Sequence, residues 1–411
     1  MNKMGTYALC AFTAAVVAAG CTNPDDGPDY TVTDNYAASV GSDLREANSR
    51  FAMKSFQEII RTAPSDQNVF YSPLSVSIAL GMLLNGAEGS TADSIRAVME
   101  LESAPRDAMN NHFHALTASL EGCDQSIRLN LANSVWTDAG FVVDTSFTRR
   151  LTTSFLAETF NLDLQAPATV TAINDWVASK TQGRIPRMYD QLPDDALFVL
   201  LNALYFKASW KYQFKSSSTR DYPFRREDGS TVTVKMMSGK AYMKFYSGQG
   251  WQAARLPYGR NVTAMYIFVP DGAGTVNGLI NGLDPATWDD TLGTGSAEKI
   301  DISLPKFQME YEVILNDVLD ALGMGIAFSD FADLSGIAGR PGDLMVYEAK
   351  QKTFVLVNEE GTEAAASTGI HGGEVSAPPA FVVDRPFLFV IRDDRSGTTL
   401  FMGRMMLPSV Q

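Results

Sequence analysis

The stretch that most restricts the fold of this chain is 357–379, VNEEGTEAAASTGIHGGEVSAPP. It leaves an apolar strand end at Phe354, Val355, Leu356 and Val357 and turns acidic at Glu359 and Glu360. It then loses almost all bulk at Gly361, Thr362, Glu363, Ala364, Ala365, Ala366, Ser367 and Thr368, and closes on Gly372, Gly373, Pro378 and Pro379. No side chain here is large enough to anchor the segment in a core. A structureless run of this length inside a compact domain is uncommon and is usually functional or disordered. The pattern also alternates. Written as a strand, Thr362, Ala364, Ala366, Thr368 and Ile370 share one small face, and Glu363, Ser367 and His371 share the other. The segment is soft as a loop and fit to become a strand. A Gly/Ala/Ser linker is the plainer alternative, but linkers seldom carry strand periodicity.

The rest of the chain alternates helices and strands. In 48–61, Phe51, Ser55, Phe56, Ile59 and Ile60 recur at helical spacing. Ser72 and Pro73 open a second helix, as N-cap and first helical residue. Val76, Ala79, Leu80 and Leu83 are its expected buried stripe. A strand is predicted over 129–136, and a helix over 170–180 with Ile173, Trp176 and Val177 on one face. Residues 197–208, LFVLLNALYFKA, are apolar on both faces and predict a central strand. Asn202 in its middle needs hydrogen-bond partners.

Further strands are predicted over 231–237, 252–256, 264–270 and 300–307. Loops around one short helix fill 271–296. A helix over 311–322 turns Ile314, Val318, Leu319 and Leu322 inward and stops at Gly323. A hairpin joins 387–392 to 398–402. Early helices and later strands argue an α+β fold.

Enzyme chemistry finds little support. His112, His114 and His371 are the only imidazoles, and the first two read as helix-surface residues. There is no G-x-S-x-G elbow, H-E-x-x-H pair, phosphate loop or dinucleotide fingerprint. The three cysteines, Cys10, Cys21 and Cys123, give neither a disulfide framework nor a zinc site. A formal net charge of −14 argues against a nucleic-acid partner.

The words VNEEGTEAAAST and DRPFLF resemble the reactive-centre loop of the serpins. NVFYSPLS at 68–75 is similar to a second serpin signature, and the resemblance runs over essentially the whole domain. It implies the serpin fold: a large central mixed sheet, smaller sheets, helices packed around them and an exposed loop. It implies a protease inhibitor, not an enzyme. A serine protease cuts the loop, and the hinge side (Glu359, Gly361, Thr362, Glu363, Ala364, Ala365, Ala366 and Ser367) enters the central sheet.

In the family, Ser72, Ser75 and Asn202 lie where the strands part, and Trp210 at the mouth. Many serpins carry His where Gln351 stands. Gln has both donor and acceptor and is expected to bridge Ser72 and Asn202. In loops of common length the scissile bond lies sixteen residues after the hinge Glu and eleven before the Pro of DRPF. Counted from Glu359 and Pro386, both give Val375–Ser376. Glu374–Val375 and Ile370–His371 are the rival bonds. Val375 suits an elastase-like or subtilisin-like protease. A non-inhibitory serpin, acting as a binding or chaperone module, is the alternative. No cofactor is expected: residues 92–128 lack the basic cluster of heparin-binding serpins. The expected state is a monomer.

The N-terminus carries Lys3, an apolar run from Tyr7 to Ala19, and Ala18, Ala19, Gly20, Cys21. This resembles a bacterial lipoprotein signal over 1–20 with Cys21 as lipid acceptor, or alternatively an ordinary cleaved signal. Residues 21–42 are acidic and read as a flexible tether, and 43–411 as one domain with its loop at about 359–380. The expected placement is exported and lipid-anchored at the outer membrane or cell surface; the alternative is secreted or periplasmic.

Overall fold

The computed structural model describes residues 42–409 except 103, 122–123, 125, 195, 294 and 363–379. Two sheets dominate a single α+β arrangement. One has nine strands, ending in the Phe387–Asp393 and Thr398–Met405 hairpin. The other has six, in the order Phe307–Ile314, Lys350–Val357, Gly361–Thr362, Phe198–Ser209, Ile127–Asp138, Glu158–Leu162. The last pair is parallel and the others antiparallel, so this central sheet is mixed. A mixed central sheet, a second sheet and packed helices are the α+β arrangement that the sequence predicts.

The main core fills the space between the sheets. Phe70 stacks on Phe401 at 4.9 Å and on Phe389 at 5.6 Å, and Phe307 meets Phe389 at 5.2 Å. Each such ring removes a large apolar area from water, which is the main driving force here. The Pro167–Lys180 helix forms a second core on the opposite face of the six-stranded sheet. Its Ile173, Trp176 and Val177 pack with Trp136, Leu201 and Ala203.

The helix Pro73–Leu84 starts as its sequence requires. Ser72 is extended, and its hydroxyl accepts the Ser75 amide hydrogen at 3.2 Å, satisfying one of the orphan donors of the first turn. The expected stripe is too narrow, however: every residue of this helix except Ala79 is buried. It lies in the main core, where no side needs to be polar.

Two other elements depart from their periodicity. Residues 311–314 extend a strand and do not start a helix. Tyr311, Glu312, Val313 and Ile314 pair with Thr353, Lys352, Gln351 and Lys350, and Glu312 is ion-paired to both lysines at 2.7 Å. Cross-strand partners outweigh a local helical pattern. Helix begins only at Asn316, leaving Ile314 exposed, and breaks at Gly323, whose φ is +113°. Residues 271–296 hold two short helices, Val276–Gly282 and Trp288–Gly293, where one was expected. His112 is also misjudged. It is buried, its Nε2 accepting from Asn48 Nδ2 at 3.1 Å, and burial lowers its pKa to about 4.

Candidate functional site: an open seam in the six-stranded sheet

The strand Phe198–Ser209 does not read as a buried central strand should. Leu201, Ala203 and Tyr205 are buried, but Phe198, Val199, Leu200, Asn202 and Leu204 are only half-buried. The reason is its pairing. One edge is bonded to Ile127–Asp138 from Phe198 to Ala208. Among the described residues, its other edge is paired only at Ala208 and Ser209, with Thr362 and Gly361. Lys350–Val357 is in the same condition. Phe307–Ile314 covers one edge completely, while the other carries a single pairing, Val357 with Thr362. Two strands therefore face each other across a seam that two residues close at one end.

A cavity of about 240 Å³ lies below the seam, lined by Leu80, Leu83, Leu192, Leu319, Ser75 and Asn202 among others. Its lower wall is the helix behind Ser72. Gln351 ties one side of the seam to that helix: its Oε1 accepts from Ser72 N at 2.9 Å and its Nε2 donates to Ser72 O at 2.9 Å. Ser72 Oγ donates to Leu400 O at 2.8 Å.

The expected bridge from Gln351 to Asn202 is not made. Both polar atoms of the Gln351 side chain are taken by the Ser72 backbone. Asn202 Nδ2 instead donates to Asn133 Oδ1 at 2.6 Å, within its own side of the seam. Asn202 Oδ1 is buried and has no partner among the described residues. A buried acceptor without a partner carries a desolvation cost, about 1–3 kcal/mol. The two sides of the seam are thus anchored separately.

The mouth of the seam is built differently. Glu359 is 8% exposed and held by two groups: Lys306 Nζ at 2.8 Å and the Thr219 hydroxyl at 2.7 Å. Burial raises its pKa, but the hydrogen bonds from Lys306 and Thr219 outweigh burial and leave it below the ordinary carboxylate value. This interaction is therefore fully present above the unfolded value, about 4.3, and is lost as pH falls through the lower folded value. The backbone turns at Asn358, whose side-chain oxygen accepts from Glu360 N and Gly361 N at 3.0 and 3.2 Å.

Trp210 closes the turn from the other strand. Its amide donates to Glu360 O and its indole NH to Asn358 O, both at 2.9 Å. Its ring stacks on Tyr258 at 4.4 Å. Tyr258 in turn hydrogen-bonds Thr362 Oγ1 at 2.7 Å, inside a fully buried environment that pushes the phenol pKa upward. Thr362 is 2% exposed. Gly361 has no room for a side chain: a Cβ would lie 2.0 Å from Ala208 O.

Of the residues singled out in the sequence, the structure gathers Glu359, Gly361, Thr362 and Trp210 at the mouth, and Ser72, Ser75, Asn202 and Gln351 around the cavity. Glu363, Ala364, Ala365, Ala366, Ser367, Val375, Ser376 and Cys21 lie outside the described residues. Tyr258, Lys306, Thr219, Asn358 and Asn133 were not singled out. Asn358 directly precedes Glu359, whereas Tyr258, Lys306, Thr219 and Asn133 stand in other parts of the chain, and no local spacing links those four to the site.

A family model described as Serpin (serine protease inhibitor) matches residues 46–408. Neuroserpin of Gallus gallus is 34% identical over 365 residues, covering 85% of this chain and 88% of that protein. Leukocyte elastase inhibitor of Bos taurus is 34% identical over 379 residues, covering 89% and 99%. The native state of tengpin, a thermophilic serpin, superimposes with a TM-score of 0.82 at 26% identity over 90% of this chain and 95% of its own.

Gly361→Ala is expected to unseat the hinge, because the carbonyl it would strike is backbone and cannot step aside. The cost is about 1–3 kcal/mol in urea unfolding. An unchanged midpoint and slope would mean that the two-residue strand contributes nothing to this state.

Proposed function

We propose that this chain, which belongs to the serpin family, is a serine protease inhibitor that traps its target by cleavage at Val375–Ser376 and insertion of the cut segment into the six-stranded sheet. The observation that carries the reading is the seam. Two anchored strands face each other, with Gly361 and Thr362 already seated between them. The protease serine attacks the Val375 carbonyl carbon. An ester forms to its Oγ, the Val375–Ser376 peptide bond breaks, and the new amine of Ser376 departs with the proton delivered by the protease histidine. Residues from Glu363 onward then zip down the seam. Each step gives partners to backbone groups on two facing edges.

The ester carries the protease with the strand, and its catalytic geometry is distorted before water can cleave the ester. The inhibitor needs no catalytic residue of its own. It needs insertion to outrun hydrolysis, and the small side chains of Ala364, Ala365 and Ala366 support that. Val375 is small and β-branched, which suits a shallow specificity pocket. A relative carrying the name leukocyte elastase inhibitor supports an elastase-like target. We also propose export and lipid anchoring through Cys21, on the strength of the N-terminal pattern.

Incubation with an elastase-like protease is expected to give a complex that survives a denaturing gel. The released peptide should begin at Ser376 by mass spectrometry, and Val375→Arg should redirect trapping to trypsin-like enzymes. Cleavage with no complex in any such mixture would favour a non-inhibitory serpin. Thr362→Arg places a cation where Tyr258 now meets a hydroxyl, at a cost of several kcal/mol. The variant should be cut and turned over as a substrate; trapping at unchanged stoichiometry would remove insertion from the mechanism. Cys21→Ser should abolish labelling by radioactive fatty acid and release the protein to the soluble fraction, and labelling that persists would eliminate the anchor.

A further inference from the structure

Two cations stand side by side at the lip of the seam. Arg128 is directly opposite Lys207 in the pairing of Ile127–Asp138 with Phe198–Ser209. Directly opposed residues of an antiparallel pair project from the same face and sit close together. That face carries the Pro167–Lys180 helix, since Asn130, two residues beyond Arg128, donates to Lys180 O at 2.7 Å. Arg128 is exposed and Lys207 half-buried, and neither has an ion-pair partner among the described residues. Lys180, the nearest cation on the helix, is already taken by Glu158. Like charges in this register repel each other, so the sheet keeps an unfavourable pair beside its open edge.

The register of the seam shows what removes that repulsion. Gly361 pairs with Ser209 and Thr362 with Ala208. If insertion carries that register one step further, position 363 would come opposite Lys207, in one row with Arg128 and on their face of the sheet. The residue there is Glu363. On the other side of the inserted strand, the register Val357 with Thr362 carries on to Leu356, which is apolar and offers no competing charge. We infer that Arg128 and Lys207 form a receptor for the Glu363 carboxylate, engaged at the first step of insertion beyond Thr362. The strand is thus drawn in by charge before it has gained many backbone bonds, at the point where insertion competes hardest with release of the protease. This rests on the inhibitory reading above but is judged separately from it.

The test uses the full chain as wild type, Glu363→Gln, Lys207→Gln, the double variant, and the swap Lys207→Glu with Glu363→Lys. Two quantities are read: the ratio of trapped to merely cleaved inhibitor at low and high salt, and the thermal midpoint of each loop-cleaved protein. Each single neutralisation should lower the ratio roughly two- to fivefold at low salt, as for a partly exposed ion pair. Each should also lower the cleaved-form midpoint. The double variant should be no worse than either single one, the swap should recover most of the loss, and high salt should erase the differences.

Additive losses, or no effect of Glu363→Gln, would overturn the receptor. Additivity would assign Arg128 and Lys207 to some other anion. If wild type is cut without trapping yet gains thermal stability, the inhibitory reading fails while the cleaved-form midpoints still decide the receptor. If cleavage leaves the wild-type midpoint unchanged, no strand enters and the receptor falls with it.

Discussion

The structure is organised around hydrogen bonds that two strands do not make. Lys350–Val357 and Phe198–Ser209 lie in one sheet, yet among the described residues only Gly361 and Thr362 join them. An open strand edge ordinarily invites pairing with another chain, and proteins take care to cover it. Here the open edges face inward across a gap of the same molecule. Among the described residues the gap is unpaired beyond Thr362, and the sequence directly after Thr362 is rich in small residues.

Everything around the seam either keeps its sides apart or prepares its mouth. Gln351 fastens one side to the Ser72 backbone and so to a helix buried in the main core. Asn202 and Asn133 fasten the other side to itself. Gln351 and Asn202 are thus tied to different partners and not to each other. At the mouth the reverse holds. Glu359, Asn358, Trp210 and Tyr258 fix the turn and the Gly361–Thr362 pair through at least one hydrogen bond each. The mouth is fixed by hydrogen bonds, and the cavity below it is partly apolar.

Asn202 illustrates why the local reading was incomplete. A polar residue in a β-rich apolar run announces a need for partners, and the sequence located that need correctly. It did not reveal that one of its atoms stays unsatisfied because the facing strand is held away. Likewise the run 197–208 was legible as a strand, but its half-exposure goes with an edge that is largely unpaired among the described residues. The strand over 311–314 was hidden for a related reason: its aromatic and β-branched residues take their conformation from Lys350–Thr353, about forty positions away.

The sequence by itself determined the segment after Val357, with its small alternating faces and flanking words, and with that the family and the α+β class. It also determined the cap at Ser72 and the Pro167–Lys180 helix within a few residues, because caps and amphipathic faces are local properties. Tertiary structure alone decided the rest. Tyr258, Lys306, Thr219 and Asn133 reach the site through contacts distant in sequence, and Arg128 meets Lys207 only through strand register. Register fixes which side chains meet across a sheet, and it depends on pairings between segments far apart in the chain, which no short window of residues contains.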